Sequence, residues 1–125
     1  MAEASLATRS VVVLADDLIW ATRLADAIAR AGARAQLARR LPDLERLLLP
    51  AAGVGFAIVD LTARAYDGVE AVRVASGTGA RVVAVGQHDD AALRRAALAA
   101  GAERVFTYRA LFENGVRTLA AWLEG

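Results

Sequence analysis

Ser10-Val11-Val12-Val13-Leu14-Ala15-Asp16-Asp17 is the stretch on which the fold turns. An apolar run with no polar alternation marks a strand buried on both faces, as in a parallel sheet covered by helices. The two acids then stand just past its carboxyl end. Working outward, Leu18 to Ala31 carries Leu24, Ile28 and Ala31 at helical spacing and closes on Gly32. Ala33 to Ala38 is a weaker second strand, with Ala35 and Leu37 alternating against Arg34 and Gln36. Pro42 marks the start of a second helix with a Leu44, Leu47, Leu48 stripe, and Pro50 stops it. Gly55 to Asp60 is the third strand, ending in a carboxylate, and Asp67-Gly68 turns into a helix over Val69 to Ala75. Arg81 to Val85 is the fourth strand, and Asp90 to Ala100 an alanine-rich helix ended by Gly101. Arg104 to Tyr108 reads as the fifth strand, and Leu111 to Leu123 as a last helix with Val116, Leu119 and Leu123 inward.

Strand and helix alternating five times predict one doubly wound α/β domain over residues 1–125, with helices on both faces of a parallel sheet. Its 125 residues, 57% hydrophobic, suffice for one self-supporting core. With no cysteine, a disulfide framework, a thiolate metal site and a cysteine nucleophile are excluded. All 15 basic residues are arginines, so no lysine is available for a Schiff base, a general base or a phosphate contact. A net charge of +1 gives no basic stripe for nucleic acid, and no apolar run is long enough to span a membrane. The segment Met1 to Ser10 lacks the apolar core of a secretory signal, which predicts a cytoplasmic protein.

In such sheets ligands bind past the carboxyl ends of the strands, where strand order reverses. Asp16, Asp17, Asp60, Gly86, Tyr108 and Arg109 fall there. If the first and third strands are neighbours, three carboxylates converge, and their repulsion is relieved by a hard divalent ion such as Mg²⁺. Read singly, each acid has a plainer role: Asp17 as a helix N-cap, Asp16 as a loop residue, Asp60 as a capping or turn residue.

These pieces, Val-Val-Leu-Ala-Asp16-Asp17, Phe-Ala-Ile-Val-Asp60 with Asp67-Gly68 seven and eight residues on, and Ala99-Ala100-Gly101-Ala102, resemble the receiver domain of two-component response regulators over essentially the whole chain. The resemblance implies a flavodoxin-like five-stranded sheet of order 2-1-3-4-5. It implies that Asp60 accepts a phosphoryl group from a histidine kinase, with Mg²⁺ held by Asp16, Asp17, Asp60 and the backbone carbonyl of Thr62. It also implies docking on the kinase or an output protein, and pairing of two copies through the face of the fourth helix, fifth strand and fifth helix.

The pattern breaks on the side that senses phosphate. Gly86 stands where the family has a Ser or Thr, Tyr108 where it has a lysine, and Arg109 where it has a cis proline. Val105 fills the aromatic switch position, with Phe106 next door, and Arg64 replaces a proline. A one-residue shift would offer Arg109 as a substitute cation, and the Tyr108 hydroxyl suits the space left by the lysine. Trp20, with Leu18 and Ile19, is either packing or a hydrophobic lid or partner surface beside Asp60; Trp122 with Phe112 belongs to the core or to a dimer seam; His88 reads as a surface loop residue. The expected function is a receiver-like signal-transduction domain of a two-component or phosphorelay system that is atypical or phosphorylation-independent, not an enzyme. The alternative is a purely structural interaction or dimerisation domain without phosphoryl chemistry.

Overall fold

Strands with no polar face must be covered twice, and the chain arranges this by sending helices to both sides of one sheet. The computed structural model describes residues 9–49 and 55–125. The strands are β1 (Ser10–Leu14), β2 (Arg34–Ala38), β3 (Phe56–Asp60), β4 (Arg81–Gly86) and β5 (Arg104–Thr107). The helices are α1 (Leu18–Arg30), α2 (Leu41–Leu47), α3 (Gly68–Gly77), α4 (Ala91–Ala100), α5 (Tyr108–Glu113) and α6 (Gly115–Glu124). All pairings are parallel, in the order β2-β1-β3-β4-β5.

Side chains alternate across a strand, so each central strand feeds two cores. Val11, Val13, Ile58, Val83 and Val85 pack under α1 and α6 with Leu24, Ile28, Leu119 and Leu123. Val12, Leu14, Ala57, Val59, Val82 and Ala84 pack under α2, α3 and α4 with Leu44, Val72 and Ala97. The β1–β3 neighbour relation needed for convergence of the acids is present, with Leu14 beside Val59.

Gly68 shows why Asp67-Gly68 carries a glycine. A Cβ at this position would stand 2.6 Å from Leu61 Cα and 2.9 Å from its carbonyl oxygen. Only a bare backbone lets α3 start so close to the residue after Asp60, and Asp67 then caps the helix through the Val69 and Glu70 N–H groups.

Several sequence expectations shift. The fifth strand ends at Thr107, whose hydroxyl oxygen accepts the Ala110 N–H and starts α5, so Tyr108 is helical rather than the last strand residue. The single last helix is two, divided at Asn114, and Val116 is 39% exposed instead of inward. Leu37, expected on a buried alternation, is 47% exposed because β2 is an edge strand. Pro42 is the second residue of its helix, not the first, and the stop expected at Pro50 lies outside the described residues. Trp122 belongs to the core, packed edge-on against Phe56 at 5.1 Å. No helix among the described residues is long and apolar enough to cross a membrane.

Candidate functional site

β1 and β3 deliver the three acids to one end of the sheet, but each carboxylate is engaged differently. Asp17 is the N-cap of α1: its Oδ1 accepts the N–H groups of Ile19 at 2.9 Å and Trp20 at 3.2 Å. This satisfies donors that the first turn of any helix leaves free. Asp16 Oδ2 accepts the N–H groups of Arg64 at 2.8 Å and Ala65 at 3.0 Å, tying the loop after β3 to the end of β1. Asp60 is the only charged side chain among the described residues that is fully buried, at 1% exposure.

Burial of a carboxylate demands full hydrogen bonding. Asp60 obtains it from two hydroxyls and one N–H. Thr62 donates both its N–H and its hydroxyl to Oδ1, each at 2.7 Å. Tyr108 donates its hydroxyl to Oδ2 at 2.8 Å. A second phenol, Tyr66, lies 2.8 Å from the Asp60 carbonyl oxygen and 2.9 Å from that of Leu14, bracing the ends of β3 and β1 together. Burial, and then the neighbouring Asp60 carboxylate, push both phenols far above the usual tyrosine range. Both therefore stay protonated donors.

The structure shows what surrounds Asp60 at the two departures, Gly86 and Tyr108. Gly86 is buried at the end of β4, and a Cβ there would meet Thr62 Cγ2 at an ordinary 3.5 Å, so nothing steric demands glycine. The Thr62 methyl faces that space, while its hydroxyl donates to Asp60 Oδ1. Tyr108 supplies the other. A site whose pattern leads one to expect an alcohol and a cation has two uncharged hydroxyls instead. Arg109 is no substitute cation: its side chain is 91% exposed and pairs with Glu113 at 3.2 Å. Val105 is half-buried against the α2, α3 and α4 core, and His88 is exposed.

The Mg²⁺ set expected of Asp16, Asp17, Asp60 and Thr62 is not drawn together as a metal centre among the described residues. Among the described residues no three acidic or histidine side chains are grouped closely enough to hold a metal ion. Each acid is engaged within the protein: backbone N–H groups bond one oxygen of Asp17 and one of Asp16, and both Asp60 oxygens accept hydrogen bonds. Thr62 contributes its N–H and hydroxyl to Asp60, where its carbonyl was expected to face a cation.

Sequence reading missed Tyr66 and undervalued the aromatic stack. Trp20 lies on Tyr108 with centroids 4.2 Å apart, Phe112 is 5.8 Å from Tyr108, and the Arg23 guanidinium sits 5.3 Å over Trp20. Leu18 and Ile19 beside them are 70% and 67% exposed, forming an apolar lip. The signal for the stack was present in the i, i+4 spacing of Tyr108 and Phe112, which aligns them only if both are helical.

No family model and no curated protein sequence matches the chain. Solved structures do. The chain is similar to a BeF3-activated DrrB receiver domain, with TM-score 0.80, 17% identity, and 94% of this chain and 99% of that one covered. It is similar to the signal receiver domain of the putative response regulator NarL from Mycobacterium tuberculosis, with TM-score 0.77, 20% identity, and coverages of 94% and 98%. A response regulator from Burkholderia pseudomallei, solved with a phosphorylated aspartic acid, calcium ion and citrate, aligns with TM-score 0.73, 19% identity, and coverages of 93% and 71%. The chain thus has the flavodoxin-like fold of CheY-like response-regulator receiver domains.

Proposed function

We propose that this chain is a receiver-fold signalling module that docks on a histidine kinase or output protein without depending on phosphorylation of Asp60. One observation carries the reading: both oxygens of Asp60 are already bonded inside the protein, by Tyr108 on one side and Thr62 on the other. Phosphoryl transfer relies on positioned cations to neutralise charge on the transferred group. Uncharged hydroxyls aimed at the acceptor do not supply that. Incubation with acetyl phosphate and Mg²⁺, followed by intact-mass measurement, is expected to leave the protein unmodified. An adduct that disappears in Asp60→Asn would overturn the reading in favour of a working phosphoacceptor.

The partner surface proposed from the family resemblance, around β5, argues for a different protein rather than a second copy. A cleft of about 400 Å³ there is lined by Arg104, Arg117 and Phe106, with the Arg104 guanidinium 4.8 Å over the Phe106 ring. Among the described residues neither Arg104 nor Arg117 has an acidic partner. The one acid lining this cleft, Glu103, is already paired with Arg81 at 2.9 Å, so a two-fold pairing of the cleft brings these cations no free acid. Sedimentation velocity is expected to return a monomer at micromolar concentration and low salt; a dimer lost in Arg104→Glu would restore the homodimer.

A further inference from the structure

We propose that Tyr108 is an internal mask on Asp60, and that Asp60 becomes reachable only when the Trp20–Tyr108–Phe112 stack opens. This rests on the reading above that Asp60 is silent in the folded chain, and it adds the device that keeps it so. Tyr108 has two ends with different surroundings. Its hydroxyl meets Asp60 Oδ2 at 2.8 Å in the buried end of the site. Its ring, only 2% exposed, helps form the floor of a surface groove of about 390 Å³ shared with Trp20, Arg23 and Phe112. The phenol therefore lies between the carboxylate and the outside, covered in turn by Trp20 at 4.2 Å.

A hydrogen bond alone would not make a mask, because a hydroxyl can rotate away. Here the ring packs on Trp20 and lies beside Phe112, the three rings forming one cluster in which Trp20 and Phe112 are themselves 6.1 Å apart, and it sits at the first residue of α5, whose start Thr107 fixes through the Ala110 N–H. Swinging the phenol off Asp60 requires the ring to leave the stack. Trp20 follows directly on the exposed Leu18-Ile19 lip and opens α1 with it. Exposure of the carboxylate and the placement of the Trp20 ring are thereby coupled, and whatever shifts Trp20 biases access to Asp60. Thr62 holds Oδ1 independently of this stack, which makes Oδ2 the oxygen that the mask controls.

Carboxyl footprinting tests the mask without any metal or phosphate. A water-soluble carbodiimide adds a carboxylate oxygen to its central carbon while a nitrogen takes up a proton. Glycine ethyl ester then attacks the acyl carbon, forming the amide and releasing the urea. Mass spectrometry of the digested protein compares Asp60 with Glu45, an exposed acid on α2 remote in sequence from the site. In the wild type Asp60 is expected to label far more slowly than Glu45. Tyr108→Phe, which keeps the ring, and Trp20→Ala, which keeps the hydroxyl, are each expected to raise the Asp60 rate about tenfold or more at an unchanged Glu45 rate. Folding of each variant is checked by far-UV circular dichroism, and Tyr108→Phe remains the decisive variant if Trp20→Ala is unfolded. Equal labelling of Asp60 and Glu45 in the wild type overturns the mask. So does an Asp60 rate unmoved in folded Tyr108→Phe, which would assign its protection to burial under the loops. An acetyl-phosphate adduct on the wild type would sink the functional reading instead, so the two failures are distinguishable.

Discussion

Raising the pH above about 10 should unfold this protein in a single step, with tyrosinate absorbance appearing only as the helical circular dichroism is lost. The composition makes the experiment unusually clean. With no lysine and no cysteine, the two tyrosines are the only side chains in the sequence that ordinarily titrate between about pH 8 and 12, since arginine ionises higher. Both of them, Tyr66 and Tyr108, are hydrogen-bonded at the Asp60 end of β3. Burial and the Asp60 charge raise both pKa values above those of the unfolded chain. The sign follows directly. Below the unfolded value of about 10 both states are protonated and the stabilisation is complete. Above it the unfolded chain loses protons that the native state keeps, so stability falls as pH rises, by about 1.4 kcal/mol per pH unit for each tyrosine. Two such groups remove several kcal/mol within two units, a large fraction of the stability of a domain this size. Replacing both by phenylalanine should abolish the alkaline transition at that pH. A phenol titrating freely near pH 10 with the fold intact would show that one hydroxyl faces solvent.

The second large effect is expected at Tyr108 itself, measured by urea unfolding. Tyr108→Ala removes a ring stacked on Trp20 and Phe112 as well as the bond to Asp60, and should lower stability by about 3–5 kcal/mol. Tyr108→Phe keeps the stack but leaves Asp60 Oδ2 buried without its donor, a loss of about 1–3 kcal/mol. The ordering matters more than the sizes. If the two variants were equally destabilised, the hydroxyl would carry the whole contribution and the stack none. If Tyr108→Phe were neutral, the carboxylate would be finding water or another donor.

These expectations concern residues whose roles were legible to different degrees. The apolar runs Val11-Val12-Val13-Leu14 and Phe56-Ala57-Ile58-Val59 announced strands buried on both faces, and alternation with helices announced the parallel sheet. Asp17 was legible as an N-cap because capping is local: its partners are two and three residues away. Asp16 was not, because its donors are 48 and 49 residues distant in sequence.

The primary structure by itself determined the doubly wound architecture, the position of Asp60 at a strand end, and the absence of a lysine to sit beside it. Hydrophobic periodicity and composition are properties of the chain and survive without coordinates. Tertiary structure alone decided what Asp60 touches. A buried carboxylate takes the nearest donors that three-dimensional packing offers, and these are a threonine two residues on and a phenol 48 residues away. It also decided which backbone N–H groups Asp16 and Asp17 bond, one carboxylate oxygen of each being used. Hydrogen-bond competition is settled by distance and direction in space, and spacing along a sequence does not encode either.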